Sequence, residues 1–308
     1  MATFGQWVEG ARPRTLPAAT APVLIGTATA WSTVGDLNTR MLGMALLAAV
    51  VALALQVGVN YANDYSDGIR GTDDDRVGPM RLVGSGAAPA KHVKLAAFAS
   101  FGVAALAGMA IVIATQSWWM VIVGLVCILA AWFYTGGRHP YGYLGLGEVM
   151  VFVFFGLVAV LGTHHVLTDG AFTDGRAVSR LSVAALAAAI GTGAIASALL
   201  VANNLRDIPT DIEAGKRTLA TRLGDAGSRR LYVVLVAVSV AAVVVVAATT
   251  TWWALLGLAM LSAAIPAVRV ITSGALGRDL VPVLKTTGLA ELRMGLGVLA
   301  GVALNWLW

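Results

Sequence analysis

Stretches of about 20 apolar residues, the length a helix needs to cross the hydrocarbon core of a bilayer, recur along this 308-residue chain between short polar breaks. In lipid every backbone N–H and C=O must find its partner inside the segment, which makes helices the economical reading. Apolar runs bounded by charge give nine such segments, at about 15–34, 41–62, 93–114, 117–135, 148–168, 181–204, 230–248, 252–272 and 288–308. The expected fold is therefore all-α: one integral-membrane domain, a bundle of nine transmembrane helices. Composition agrees, with 58% hydrophobic and 12% charged residues, where soluble domains carry roughly 45–50% and about 25%.

Charge orients the bundle. With the N-terminus in the cytoplasm, all 21 basic residues except Arg40, Arg176 and Arg180 fall on the cytoplasmic side, as the bias of Lys and Arg toward short inner loops requires. The formal net charge of +5 is no sign of nucleic-acid binding, because the bases stand at the ends of apolar runs and form no phosphate-tracking stripe. Cys127 is the single cysteine, so no disulfide forms within the chain; inside an apolar run it reads as a small buried residue. Arg12 and Arg14 precede an apolar stretch ending in Ala28-Thr29-Ala30, which imitates a secretion signal and its cleavage site. The later spans need a first partner, so the segment is read as retained.

The acids are placed as unevenly as the bases. Asp64, Asp67, Asp73, Asp74 and Asp75 follow the second span, and Asp207, Asp211, Glu213 and Asp225 follow the sixth; together they are more than half of the 16 acids. An even number of crossings separates the two loops, so both emerge on one face of the membrane and can meet across one cavity. The segments also resemble each other: Asn63-x-x-x-Asp67-x-x-x-Gly71 and Asn203-x-x-x-Asp207-x-x-x-Asp211. This suggests two four-helix halves, about 15–135 and 148–272, related by a parallel repeat, plus a ninth span. A spacing of four stacks such side chains on one helical face. Pro209 places a helix break within the second segment.

Carboxylates this dense at membrane-span ends repel one another, and a hard cation resolves the conflict. Magnesium takes oxygen ligands and is usually held by one or two carboxylates plus substrate phosphates, so two facing clusters suit a metal-bridged diphosphate. Arg70, Arg76, Arg81, Arg206, Lys216, Arg217 and Arg222 stand beside them, supplying the forks and point charges that grip phosphate. Such a site lets an allylic carbon–oxygen bond ionise, and a membrane-embedded helical cavity keeps the carbocation from water. An electron-rich aromatic ring is the expected acceptor, and no activated protein nucleophile is needed. Asp74 and Asp75 read as water-facing. The segment Tyr134-Thr-Gly-Gly-Arg138-His-Pro-Tyr141 is a glycine-rich turn in which Arg138 could pair with an acceptor carboxylate and Tyr134 or Tyr141 stack on its ring. His164 and His165 read as interfacial residues at the outer end of the fifth span. Phosphate-loop, zinc-pair and nucleophile-elbow motifs are missing.

At Asn63-Asp64-Tyr-Ser-Asp67 and its partner segment the sequence resembles the UbiA superfamily of intramembrane prenyltransferases. Two aspartate-rich motifs of that superfamily lie on cytoplasmic loops after the second and sixth of nine helices. The likeness covers nearly the whole chain and is narrowest to the branch that prenylates 1,4-dihydroxy-2-naphthoate in menaquinone synthesis. It is carried by Ala11-Arg-Pro-Arg-Thr-Leu-Pro17, Asn60-Tyr-Ala-Asn-Asp-Tyr-Ser-Asp-Gly68 with Gly71-Thr-Asp73, Arg76-Val-Gly-Pro-Met-Arg81, and Asn203-Asn-Leu-Arg-Asp207 running to Gly215-Lys-Arg-Thr-Leu-Ala220. The chain departs from the superfamily at Gly71, where a third acid is usual, and Asp73 two residues later is read as its substitute. The resemblance implies magnesium-dependent ionisation of a polyprenyl diphosphate and attack by the naphthoate ring with loss of CO2, in the bacterial cytoplasmic membrane with the site facing the cytoplasm. The metal set is then Asn63, Asp64, Asp67, Asp73, Asn203, Asp207 and Asp211, with Asp67, Asp207 and Asp211 central to catalysis. Arg76, Arg81, Lys216 and Arg222 would hold the diphosphate, and Asn60, Tyr134, Arg138 and Tyr141 the acceptor.

Three rival functions share features with this sequence. The same chemistry could serve another acceptor, 4-hydroxybenzoate or a sugar phosphate. Asp64-Tyr-Ser-Asp67-Gly68 opens like the motif of CDP-alcohol phosphatidyltransferases, which should continue with Ala-Arg and further acids and does not. An ion-coupled transporter would carry acids in mid-span, and the span interiors are almost free of charge.

Overall fold

The computed structural model of the chain describes residues 2–71, 80–138, 140–168 and 183–307. Helices are the regular elements among the described residues: α1 (Phe4–Gly10), α2 (Leu16–Val34), α3 (Thr39–Gly68), α4 (Ala90–Thr115), α5 (Met120–Phe133), α6 (Gly147–Leu167), α7 (Val183–Arg206), α8 (Ile208–Glu213), α9 (Leu219–Thr249), α10 (Trp252–Thr272) and α11 (Gly277–Asn305).

Seven of these, α3, α4, α6, α7, α9, α10 and α11, are long and apolar enough to cross a membrane. Helices α2 and α5 stand where the first and fourth spans were expected and depart from that pattern for different reasons. α5 is apolar but has only 14 residues. α2 has 19 residues, rich in threonine and alanine, and its middle is buried from Ala18 to Ala30 apart from Thr20 and Leu24. A helix wrapped by other helices needs small side chains for close approach more than it needs lipophilicity. Its hydroxyls turn back on the preceding helical turn: Thr27 Oγ1 donates to the Val23 carbonyl at 2.7 Å and Thr33 Oγ1 to that of Thr29 at 2.8 Å, so they add no unpaired polar group.

Glycines set the closest helix crossings. A Cβ on Gly297 or Gly301 would overlap the carbonyl oxygens of Leu256 and Trp253, so α11 presses backbone to backbone on the first half of α10. Gly156 meets the Ala189 carbonyl and Gly193 in the same way, which locks α6 on α7. There the middle of α6, Phe152–Leu161, is wound as a π-helix, a form that is rare and concentrates near functional sites.

Several ends differ from the sequence reading. α3 runs on to Gly68 and α7 to Arg206, carrying the polar segments on their last turns. α9 begins at Leu219, well before position 230, with a break at Gly224 where φ is +69°, and the ninth expected span begins at Gly277. His164 and His165 are not interfacial but buried, at 3% and 7% exposure. His164 Nδ1 lies 3.0 Å from Thr29 Oγ1 and His165 Nε2 lies 3.2 Å from Ser117 Oγ, and such hydroxyl partners are what an imidazole inside an apolar bundle needs.

The substitution Gly301→Ala is expected to lower the thermal midpoint of the detergent-solubilised protein by several degrees, since over-packing costs about 1–3 kcal/mol. Gly43→Ala, whose methyl meets nothing within 4 Å, should leave the midpoint unchanged. Equal midpoints would remove the backbone contact between α10 and α11 as a determinant of stability.

Candidate active site

The ends of α3 and α7 converge on one cavity of about 390 Å³. Asn63 and Asp67 line it from α3, Asn203 from α7, Asp207 from the α7–α8 turn and Asp211 from α8. The second segment keeps its face through the helix break because the amide of Asp207 still donates to the Asn203 carbonyl at 3.2 Å and that of Asp211 to the Asp207 carbonyl at 2.8 Å. Pro209 falls in the first turn of α8, where its missing N–H has no partner to lose.

Each acid is held by groups of its own surroundings. The Tyr143 hydroxyl donates to Asp67 Oδ1 at 2.6 Å, and Arg81 Nη2 to Asp67 Oδ2 at 3.4 Å. Arg206 forks onto Asp207 through Nε and Nη2, both at 2.6 Å, and Nη2 also donates to Asn203 Oδ1 at 2.9 Å. Lys216 Nζ is 3.9 Å from Asp211 Oδ1, and Thr218 Oγ1 donates to Asp211 Oδ2 at 3.4 Å. The Lys216 ammonium also lies 4.7 Å from the centre of the Tyr143 ring. Thr135 Oγ1 donates to Asn63 Oδ1 at 2.7 Å. Among the described residues no three acids or histidines form a ready-made metal cage. The site instead offers oxygen donors spread around a cavity.

A second cavity, about 550 Å³ and almost wholly apolar, is lined from α2 through α7. It meets the polar one at Thr15, Asn63, Tyr134, Leu199 and Leu200, which line both. Asn60, Tyr134 and Tyr141 are on its wall, and the two tyrosine rings meet edge to face with centres 5.5 Å apart. Burial pushes both phenols up from their ordinary values, and the nearby Glu148 carboxylate adds to the shift at Tyr134. Both therefore stay protonated at neutral pH, and the Tyr141 hydroxyl donates to the Ala130 carbonyl at 2.7 Å. Cys127 is half-buried and lines this cavity instead of being sealed in the core.

Three sequence assignments do not join the site. Asp64 is 1% exposed, and its oxygens accept the amides of Leu82 at 2.7 Å and Val83 at 3.0 Å; its carboxylate clamps the loop that carries Arg81. Arg138 is exposed and lines neither cavity. Arg222 is exposed and donates to the Leu144 carbonyl at 2.8 Å, fastening a loop outside the cavity lining. Asp73 and Arg76, with Asp74 and Asp75, lie outside the described residues.

The structure adds residues that the sequence did not single out. Tyr143 stands two places beyond the segment read as an aromatic turn. Arg12, whose side chain lines the polar cavity, has left-handed backbone with φ +53°, a conformation uncommon outside glycine; in the sequence it was given no site role, entering only through the positive-inside bias, the secretion-signal likeness and the stretch Ala11–Pro17. Asn204 donates to Glu148 Oε1 at 2.9 Å, and nothing in the local spacing announced that pair.

Residues 19–279 match the UbiA prenyltransferase family. A protein of Mycobacterium tuberculosis named 1,4-dihydroxy-2-naphthoate octaprenyltransferase is 51% identical over 308 residues, covering all of both chains. Its namesake in Escherichia coli is 38% identical over 76% of this chain and 73% of its own. The fold is similar to that of a UbiA homolog from Aeropyrum pernix, with a TM-score of 0.71 at 14% identity over 93% of this chain and 97% of that one. A UbiA homolog from Archaeoglobus fulgidus bound to GPP and Mg2+ gives a TM-score of 0.65 at 13% identity, over 97% of this chain and 99% of that one. With an all-helical membrane fold, two facing Asn–Asp segments and full-length relatives, this chain belongs to the UbiA prenyltransferase family.

Proposed function

We propose that this protein transfers a polyprenyl group from polyprenyl diphosphate to 1,4-dihydroxy-2-naphthoate, releasing diphosphate and CO2 and giving the prenylated dihydroxynaphthalene, demethylmenaquinol, whose later two-electron oxidation gives demethylmenaquinone. The observation that carries this reading is the junction of the two cavities, which puts a place for an anionic head beside a place for an apolar tail and an aromatic ring. The name of the full-length relative supports the naphthoate as acceptor.

The donors on the polar cavity are hard oxygens, from Asn63, Asp67, Asn203, Asp207 and Asp211, which fits magnesium held jointly with substrate phosphates. Bound there, the ion would neutralise the charge that develops on the departing diphosphate. Arg81 and Lys216, already on the cavity wall with Arg12, are placed to hold the phosphate oxygens. The apolar walls take the prenyl tail, each buried methylene contributing about 0.8 kcal/mol, and keep water from the allylic cation. Tyr134 and Tyr141 face the ring of the acceptor. Where the new carbon–carbon bond forms at the carbon bearing the carboxylate, the electron pair of the bond to CO2 returns to the ring. No ring proton then has to be removed, which agrees with neutral tyrosines in that wall. Asp64 is left out of the metal set, because both of its oxygens are engaged by backbone amides.

The same reading places nine helices across the bacterial cytoplasmic membrane, α2 to α7 and α9 to α11, with the N-terminus and both cavity-lining segments toward the cytoplasm. Two four-helix halves, about 15–135 and 148–272, each bring one Asn–Asp segment, and α11 is the ninth. The burial of α2 and its place against α3, α6 and α11 support counting it, and the distribution of basic residues supports the orientation.

Asp67→Ala and Asp207→Ala are each expected to reduce prenyl transfer by a thousandfold or more while leaving the thermal midpoint near that of the parent, and chelation of magnesium should stop turnover reversibly. Asp64→Ala should act in the opposite sense, lowering the midpoint first; a folded, active Asp67→Ala protein would remove Asp67 from the site. Tyr143→Phe removes only the hydroxyl that steadies Asp67 and should raise the magnesium requirement several-fold with little change in stability. Purified protein given a polyprenyl diphosphate with 1,4-dihydroxy-2-naphthoate or 4-hydroxybenzoate should make product with the former. Product with 4-hydroxybenzoate alone would overturn the acceptor assignment.

A further inference from the structure

The apolar cavity has a polar ledge whose protons can be counted. Thr15, Gln56 and Asn60 all line it. Thr15 Oγ1 gives its one proton to the Arg12 carbonyl at 2.9 Å, so toward the two amides beside it the hydroxyl only accepts. Asn60 Nδ2 donates to the Ala11 carbonyl and to Thr15 Oγ1, both at 2.9 Å. A carbonyl cannot donate, so the orientation of the Asn60 amide is fixed and its Oδ1 is left to face Gln56. Gln56 Nε2 then donates to Thr15 Oγ1 at 3.0 Å and to Asn60 Oδ1 at 3.3 Å. Each assignment forces the next, and the series ends on Gln56 Oε1, which is buried with no donor among the described residues, in a residue 7% exposed. Burying an amide oxygen without a donor is costly.

The substrates of the proposed reaction offer few groups that could meet it. The prenyl tail has no polar hydrogen, and diphosphate and carboxylate only accept. The phenolic hydroxyls of the acceptor are the donors. We propose that Gln56 Oε1 accepts a hydrogen bond from a ring hydroxyl of the aromatic acceptor, so that Gln56 selects hydroxylated rings, with Thr15 and Asn60 holding its amide in orientation. The inference deepens the proposed function and rests on its acceptor. Gln56 lines the cavity whose wall also carries Tyr134 and Tyr141, so ring faces and hydroxyl edge are read by different groups. Donation from the hydroxyl also shifts electron density into the ring, the direction that favours attack on a cation.

The test compares 1,4-dihydroxy-2-naphthoate with its two mono-methyl ethers in the parent protein and in Gln56→Met, which keeps a similar volume without the acceptor atom. One ether should be poorer than the free hydroxyl by about tenfold or more in kcat/KM with the parent. Gln56→Met should raise the KM for the dihydroxynaphthoate about tenfold, the value of one hydrogen bond of that kind, and reduce discrimination against that same ether to within about twofold. The KM for polyprenyl diphosphate should not move. Acceptor binding without magnesium, followed by quenching of tryptophan fluorescence, should weaken by the same factor with no turnover involved. Discrimination that persists in Gln56→Met would mean a steric clash with the methyl group and would overturn the proposal. Parent protein that treats both ethers like the free hydroxyl would overturn it even if Gln56→Met failed to fold. Absence of any product from the parent with the naphthoate would be a failure of the proposed function, recognisable because it precedes any comparison of ethers.

Discussion

Gathering carboxylates where helices leave a membrane is the constraint on which the rest of the molecule depends. At an effective dielectric of about 20, two unit charges 4 Å apart interact by about 4 kcal/mol, so Asp67, Asp207 and Asp211 would drive α3 and α7 apart if they faced each other bare. Each instead arrives with a cation close in sequence or from the adjoining loop: Arg81 on Asp67, Arg206 on Asp207, Lys216 on Asp211. The acids of each segment are thus compensated by cations of their own half, two of which, Arg81 and Lys216, are the residues proposed to hold phosphate. On the proposed function, a metal ion bound to a diphosphate would bring both signs at once, a cation for the carboxylates and an anion for Arg81 and Lys216. Exchange of partners within the cavity would then cost less than stripping either set into a bare state, because no buried charge would be left uncompensated.

What the sequence disclosed and what it withheld follow from the range of the interactions. The spacing of four in Asn63-x-x-x-Asp67 and Asn203-x-x-x-Asp207-x-x-x-Asp211 is a local, helical signal, and the structure puts both on one cavity wall. Asp64 has the same chemistry and a neighbouring number, but its role is decided by the amides of Leu82 and Val83, after a loop that no periodicity describes. Arg138 and Arg222 look like anion-binding residues because they are arginines beside a motif; Arg138 is exposed and lines neither cavity, and Arg222 fastens a loop through the Leu144 carbonyl. Arg12 carried no such cue, since its approach to the site depends on a left-handed backbone step just before α2. The bundle as a whole was legible because lipid permits so few solutions. α2 was the span most easily misjudged, as hydropathy measures contact with lipid and α2 mostly contacts other helices.

The unequal packing of the two halves also has a consequence for the site. The largest continuous core joins α2 and α6 to α7, α9, α10 and α11, and the backbone contacts at Gly156, Gly193, Gly297 and Gly301 fall within the same group. By contrast α5 has no buried residue at all, and the apolar cavity opens among α2 to α7. Helices without a hydrophobic drive between them associate through close van der Waals contact, so the glycine crossings fix α7 against its neighbours. The position of Asn203, Asp207 and Asp211 is then inherited from contacts about three to five turns deeper in the bundle. The first half encloses most of the apolar cavity and meets that fixed wall through α3, whose terminal turns carry Gln56, Asn60, Asn63 and Asp67 in register. One helix thus presents the groups proposed to face acceptor and metal in sequence along a single face, which on that proposal ties the placement of the ring to that of the leaving group: α3 cannot shift to suit one without moving the other.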